Sequence, residues 1–306
     1  MRHETPELSL ELVSVVIPCY KQAHFLGEAI ESVLAQTYPA HEIIVVDDGS
    51  PDETKEVAIR YPSIRYVRQT NQGLSAARNT GYRHSRGVYL VFLDADDRLL
   101  PHHLSTCIKA FQRRPDAAFV CGDYRFLGDD QAAHRHDCRP QPDLYGTLLR
   151  SNFIGPPHTV MFRRDAIVQS GGFIPGMKSC EDQEIYLRIA RTASIHCHHE
   201  IIAEYRRHGN QMSQKWEVML STAMEMLQNE RRYVAGRPEY ETALEAGVRF
   251  RKDLYGPAVA WTMVGSVRSK KWSRAFKCLY VLLRWYPQGL AMLMNSKLTR
   301  VYEPAS

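Results

Sequence analysis

Val88-Tyr89-Leu90-Val91-Phe92-Leu93-Asp94-Ala95-Asp96-Asp97 joins a six-residue apolar run to three carboxylates. A run that short and that apolar predicts a strand in the middle of a sheet, buried on both faces. Three carboxylates at its end crowd like charges, which is costly unless a cation neutralises them. Oxygen ligands of this kind suit Mg²⁺ or Mn²⁺, and such ions usually arrive with a phosphate. The stretch therefore predicts a metal and diphosphate site at the carboxyl edge of an α/β sheet. The plainer alternative is a polar turn after a strand.

The flanking sequence carries the same pattern outward. Residues 13–18 and 42–46 read as buried strands, and the second ends in Asp47-Asp48-Gly49-Ser50. Apolar residues at Phe25, Leu26, Ala29, Ile30, Val33 and Leu34 have helical spacing over 24–36. A helix over 52–61, a strand over 63–68 and a helix over 74–84 lead into the strand before Asp94. Strands alternating with helices predict a mostly parallel sheet with right-handed crossovers. In such a sheet ligands sit at the carboxyl ends of the strands, where the loops 18–24, 47–52 and 94–98 all fall. Further along, a helix is expected over 102–114, strands over 117–126 and 158–163, and a polar loop over 128–142. A turn at Ser170-Gly171-Gly172-Phe173, a helix over 181–191 and one or two strands over 194–205 follow. From Lys215 onward the pattern is helical, with breaks expected near 236–238, 256–257 and 287.

Composition sets the outer bounds. The 306 residues give room for one large domain, or one domain plus an extension. The net charge of +5 is uneven: from Leu254 to the end there are eight Lys/Arg against Glu303 alone. A basic tail on a near-neutral body points to an anionic partner surface. Seven scattered cysteines without a Cys-x-x-Cys pair, and a polar acidic start, suggest a reduced cytoplasmic setting. No run of 18 uncharged apolar residues exists, so no transmembrane helix is expected.

Four blocks resemble a known family. They are Val15-Val16-Ile17-Pro18-Cys19-Tyr20, Val45-Val46-Asp47-Asp48-Gly49-Ser50-Pro51-Asp52, the stretch Asn71-Gln72-Gly73-Leu74-Ser75-Ala76-Ala77-Arg78-Asn79-Thr80-Gly81, and Phe92-Leu93-Asp94-Ala95-Asp96-Asp97. In order and spacing they are similar to the inverting family 2 glycosyltransferases, and Glu181-Asp182 and Tyr205-Arg206-x-His208 resemble two later blocks. The resemblance covers about residues 12–213 and is specific as a set. It implies a GT-A fold: an α/β, Rossmann-like, mostly parallel sheet with flanking helices, here followed by a C-terminal helical extension. The domains expected are a catalytic, nucleotide-sugar-binding domain over 1–213 and a basic helical extension over 214–306. A nucleotide-diphospho-sugar donor, Mn²⁺ or Mg²⁺, and transfer with inversion are also implied.

The resemblance assigns roles residue by residue. Asp96 would coordinate the metal on the donor phosphates, with Asp94 near the ribose and metal and Ala95 between them. Asp97 is open among three readings: the metal, a cap for the helix after Pro101, or a hold on Arg98. Asp48 matches the carboxylate that meets the nucleobase, and a carboxylate accepting from a ring N–H would select uracil- or thymine-type bases. Asp47 shares that task or caps the next helix. Pro18 and Tyr20 match positions lining the base pocket, and Tyr20 could stack there. Arg78 matches a basic residue facing the donor, or is a surface cation on the 74–84 helix. Inversion needs a base opposite the leaving group; Asp182 is assigned that role, with Glu181 as second choice. The plainer reading of both is a helix amino terminus. His208 matches a histidine near the diphosphate or metal, and Arg206 would help hold the phosphates. His196, His198 and His199 around Cys197 look like a soft-metal cluster, but strand alternation would split them between two faces.

The tail interleaves Lys270, Lys271, Arg274, Lys277 and Arg284 with Trp272, Phe276, Leu279, Tyr280, Leu283 and Trp285. This is an amphipathic helix with a cationic side. It would lie on an anionic membrane surface, where a lipid-linked acceptor is found, or pack on the protein with its basic face solvated. No nucleic-acid recognition motif is present. The expected protein adds one sugar to a glycan or polyprenol-linked acceptor, in the cytoplasm or peripherally at the inner membrane face. The alternatives are a sugar nucleotidyltransferase and a non-catalytic nucleotide-sugar-binding scaffold at a membrane. The first would need a Gly-rich loop after strand one, and residues 17–22 hold no glycine. The second is disfavoured by the base expected at Asp182.

Overall fold

The computed structural model describes residues 10–128, 133–134, 143–209 and 211–296. The expected polar loop over 128–142 falls mostly outside the described residues. In chain order the first elements are β1 (Val13–Cys19), α1 (Ala23–Leu34), β2 (His41–Asp47), α2 (Thr54–Ala58), β3 (Arg65–Arg68), α3 (Leu74–His84) and β4 (Tyr89–Phe92). Then come β5 (Arg98–Leu99), α4 (His103–Arg113), β6 (Ala117–Phe126), β7 (Ala133–His134) and α5 (Leu144–Arg150). Next are β8 (Val160–Arg163), α6 (Arg164–Ser170), α7 (Glu181–Ala190) and β9 (Ser194–Tyr205). Four helices follow: α8 (Trp216–Val234), α9 (Pro238–Arg268), α10 (Trp272–Trp285) and α11 (Gln288–Ser296).

One mixed sheet runs in the order β3-β2-β1-β4-β8-β6-β9-β5, with β7 paired to β6. The first four strands are parallel, with Val15 opposite both Ile43 and Val91. β1 and β4 are buried along their whole length, as a strand covered on both faces requires. One face packs Leu26, Ala29, Ile30 and Val33 of α1 and Leu104, Cys107 and Phe111 of α4 into the core. Burying each such aliphatic side chain is worth about 1.5–3 kcal/mol. On β8 and β6, Phe162 and Phe119 lie with their ring centroids 5.4 Å apart and extend to Tyr186 of α7.

By contacts the chain forms two compact units. The first comprises residues up to Leu144, Phe153–Met177 and Glu181–Arg207; the second comprises Tyr145–Asn152, Lys178–Cys180 and His208–Ser306. Within the second, Leu220 and Met224 of α8, Val259 and Ala260 of α9, and Cys278, Leu282 and Trp285 of α10 form a separate core. The Tyr145 hydroxyl donates to Glu230 at 2.7 Å and anchors α5 on α8.

Several boundaries differ from those expected. The helix over 52–61 contracts to the five residues of α2, whereas of the one or two strands expected over 194–205 one forms, β9, with bulges against β6. The break expected at 256–257 is absent: α9 runs through Pro257. Gly256 is there for packing, because a Cβ on it would lie 2.6 Å from the Tyr286 ring. The chain turns instead at 269–271, between α9 and α10.

Candidate active site

Four parallel strands present their carboxyl ends side by side, so the loops after β1, β2, β3 and β4 share one edge. Tyr20, after β1, is 43% exposed, whereas Pro18 within β1 is buried. Asp47 and Asp48 at the end of β2 are both buried and both held from inside. Asp47 accepts from the Ser50 N–H at 2.7 Å and from the Tyr66 hydroxyl at 2.6 Å. Asp48 accepts from Gln69 Nε2 at 2.7 Å, the Gln72 N–H at 2.9 Å and the Gly73 N–H at 2.8 Å. Gly73 has φ +88°, a conformation that favours glycine, and it lets the loop after β3 close onto Asp48.

The carboxylates after β4 are divided between two networks. Arg78 of α3 is fully buried; its Nη2 donates to Asp94 Oδ1 at 2.7 Å and its Nη1 to Glu181 Oε1 at 2.8 Å. Its guanidinium also lies 5.3 Å from the Phe173 ring centroid. Burial alone would lower its pKa, but the two carboxylates outweigh burial and raise it. Arg78 is closed off from solvent and joins the β4 loop to α7. Asp96 is half-buried and accepts from Gln22 Nε2 at 3.0 Å, while Ala95 between the two acids is buried.

Asp97 belongs to the second network. Its Oδ2 lies 3.1 Å from His158 Nδ1, and its Oδ1 accepts from the Arg206 N–H at 2.8 Å. Burial pushes its carboxyl up to about 6, against the pull of His158. Burial by itself would lower the His158 pKa, but Asp97 outweighs it and the net shift is upward. Asp97 caps no helix: α4 begins beyond β5 with no side-chain cap. Arg206 has its Nε on the Asp96 carbonyl at 2.9 Å and its Nη2 on Glu28 at 2.6 Å.

Asp182 and Glu181 open the first turn of α7. Glu181 is paired with Arg78, and Asp182 accepts from the Gln183 N–H at 2.7 Å. Burial, with the neighbouring Glu181 charge, pushes the Asp182 carboxyl up to about 7. That value suits a group exchanging protons near neutrality. His208 falls in the second unit.

Asp94 and Asp96 give the oxygen donors that a hard divalent cation prefers. One ligand atom each from Asp94, Asp97 and His158 also lie within 4.8 Å of one another. The donor chemistry therefore fits Mn²⁺ or Mg²⁺. His158, Gln22 and Gln69 escape a sequence reading. His158 sits in a short turn, Pro157–Thr159, whose proline-rich sequence signals a bend but no chemistry. On β9, His198 lies 3.8 Å from Cys107, while Cys197 meets Cys121.

These carboxylates lie at the carboxyl edge of parallel strands, where open α/β sheets bind their ligands. Residues 14–170 match Glycosyl transferase family 2, and the chain belongs to that family. It is 32% identical over 210 residues to an uncharacterized glycosyltransferase, RP339, of Rickettsia prowazekii, covering 65% of each chain. It is 25% identical over 308 residues to RT0329 of Rickettsia typhi, also an uncharacterized glycosyltransferase, covering 95% of each. Two further Rickettsia relatives are matched over only 35% of their length. Among solved structures, a mannosyltransferase of Pyrobaculum calidifontis in complex with GDP-Man and Mn²⁺ has a TM-score of 0.62 at 17% identity, covering 97% of this chain and 82% of that one. S. aureus TarS 1–349 in complex with UDP-GlcNAc has a TM-score of 0.57 at 20% identity, covering 86% and 89%. The protein has the α/β GT-A fold with C-terminal helices, and the family it belongs to is one of glycosyl transferases. Among the described residues no helix is long and apolar enough to cross a membrane.

Proposed function

We propose that this protein transfers one sugar, with inversion, from a UDP-sugar to a hydroxyl of a glycan or lipid-linked acceptor. One observation carries the proposal: a single buried guanidinium, Arg78, bonds both Asp94 of the donor-side motif and Glu181 beside the base. The groups that would hold the diphosphate and the group that would take the acceptor proton are thereby fixed to one point.

Asp182 accepts the proton of the acceptor hydroxyl as that oxygen attacks the anomeric carbon, and the nucleoside diphosphate leaves from the opposite face. Glu181, engaged by Arg78, stands beside Asp182 and contributes to the raised Asp182 pKa. Asp94 and Asp96 would hold Mn²⁺ or Mg²⁺. Such an ion, when bound, supplies Lewis-acid neutralisation of the leaving diphosphate. Asp48 accepts three hydrogen bonds, and a carboxylate has about four acceptor positions. The position left over suits the N–H of a uracil ring, with Tyr20 exposed on the neighbouring loop to stack on the base and Pro18 beneath it. Asp47 and Arg206 hold the surrounding loops. The setting proposed is cytoplasmic.

Calorimetric titration of UDP, with and without Mn²⁺ and repeated on Asp96→Ala, tests this reading. The expected result is UDP binding that requires both the metal and Asp96. Binding of GDP in place of UDP would overturn the uridine assignment, and failure of every nucleoside diphosphate to bind would overturn the donor site.

A further inference from the structure

We propose that the open face of α10 is a docking surface for an anionic lipid bilayer. The helix is apolar on two sides. Ala275, Cys278, Val281, Leu282 and Trp285 are buried, and all but Ala275 belong to the core of the second unit. At 3.6 residues per turn, Trp272, Phe276, Tyr280 and Leu283 fall together on the opposite side. They are 55%, 67%, 58% and 60% exposed. Single exposed apolar residues need no explanation, but four on one stripe, three of them aromatic, mark an interaction site.

The charge around this stripe chooses the partner. Lys277 and Arg284 fall along one flank by helical phase, and Lys270 and Lys271 stand just before the first turn. Arg274 is engaged by Glu217 at 3.0 Å and is not among them. The helix contains no acidic residue. Beside Trp272 lies an open hollow of about 640 Å³ lined by Lys215, Lys270, Lys271 and Lys277 together with the paired Arg274 and Glu217. It offers several ammonium groups to one phosphate. An aromatic stripe with cations on one flank and at one end fits the boundary between headgroups and acyl chains of an anionic membrane. The helix would lie along the surface, since 14 residues span about 21 Å and do not cross a bilayer. None of this rests on the transferase chemistry, and the test reads no turnover.

The test is cosedimentation of the full chain with vesicles of phosphatidylglycerol or of phosphatidylcholine, at low and high salt. The protein is expected to pellet with phosphatidylglycerol alone and to be released by salt. Lys277→Gln with Arg284→Gln should weaken binding about thirtyfold, from about 1 kcal/mol per cation. Phe276→Ser with Leu283→Ser should remove binding at any salt. All four positions are exposed, and circular dichroism with UDP titration verifies that the variants stay folded. The proposal is overturned if the folded chain stays in the supernatant with phosphatidylglycerol, or if the variants pellet as the parent does. It is equally overturned if the chain dimerises without lipid and Phe276→Ser with Leu283→Ser yields monomers, which would make the stripe a contact between copies.

Discussion

Arg78 in the first unit and Arg284 in the second carry the same guanidinium in opposite surroundings. Arg78 is fully buried, with two nitrogens on the carboxylates of Asp94 and Glu181. Arg284 is exposed, and its partners are the Tyr280 hydroxyl at 2.9 Å and the Trp285 ring. A buried charge is tolerated only where its counter-charges are fixed, so each member of the Arg78 network fixes the others. An exposed cation in water is held by little, and its position follows from helical phase alone. Charge in the first unit is thus arranged to hold a geometry, and charge on α10 to present a surface.

The largest effect should come from the base. Asp182→Asn removes the proton acceptor while keeping shape, and should lower kcat about 10²–10⁴-fold with little change in donor affinity. The parent's kcat/KM should carry the matching pH limb. Asp182 works unprotonated, so activity is present above about pH 7 and falls about tenfold per pH unit below it. Full turnover by Asp182→Asn in single-turnover assays would move the base elsewhere and leave the Arg78 network a purely structural device.

Arg78→Met strands Asp94 and Glu181 around a neutral side chain. Breaking a buried pair by removing one partner costs about 3–5 kcal/mol, measurable as a lowered urea midpoint. Arg78→Lys should recover little of it, because an ammonium cannot bridge two carboxylates as the planar fork does. Arg284→Met in the same assay should be close to neutral. Equal losses at both positions would erase the contrast between the two units.

How legible each unit is in the sequence follows from the same contrast. The run 88–97 forecast a buried strand ending in carboxylates, and the alternation around it forecast the parallel half of the sheet, because burial and period leave marks in consecutive residues. The other half was less legible: β8 pairs antiparallel with β4 and β6 while β9 pairs parallel with β6, all across long loops, and the residues of 194–205 read equally as one strand or two. His158 and Gln22 reach the site through tertiary contact alone. Arg78 showed a cation on a helix, but its direction depended on Glu181, 103 residues away. In the second unit the helices are legible, but Gly256-Pro257 signals a break that α9 does not make. A glycine against an aromatic ring and a glycine ending a helix look alike in sequence.

That glycine supplies a test inside the second unit. Gly256→Ala would press a methyl against Tyr286, and overpacking of this kind costs about 1–3 kcal/mol. The loss should appear in thermal unfolding and leave UDP affinity unchanged. A neutral result would mean that Tyr286 swings aside and that the core of the second unit is looser than that of the first.

The smallest effect should come from Lys277→Gln with Arg284→Gln. Exposed substitutions away from buried features stay within about 0.5 kcal/mol, so thermal unfolding should be unchanged. A near-zero result is informative because the same pair is expected to govern vesicle binding. Cations that stabilise nothing within the chain, yet control adhesion to an anionic surface, are positioned for a partner. If instead the double substitution lowers the melting temperature, Lys277 and Arg284 contribute to the fold as Arg78 does. The contrast between charge that holds a geometry and charge that presents a surface would then fail on the side of α10.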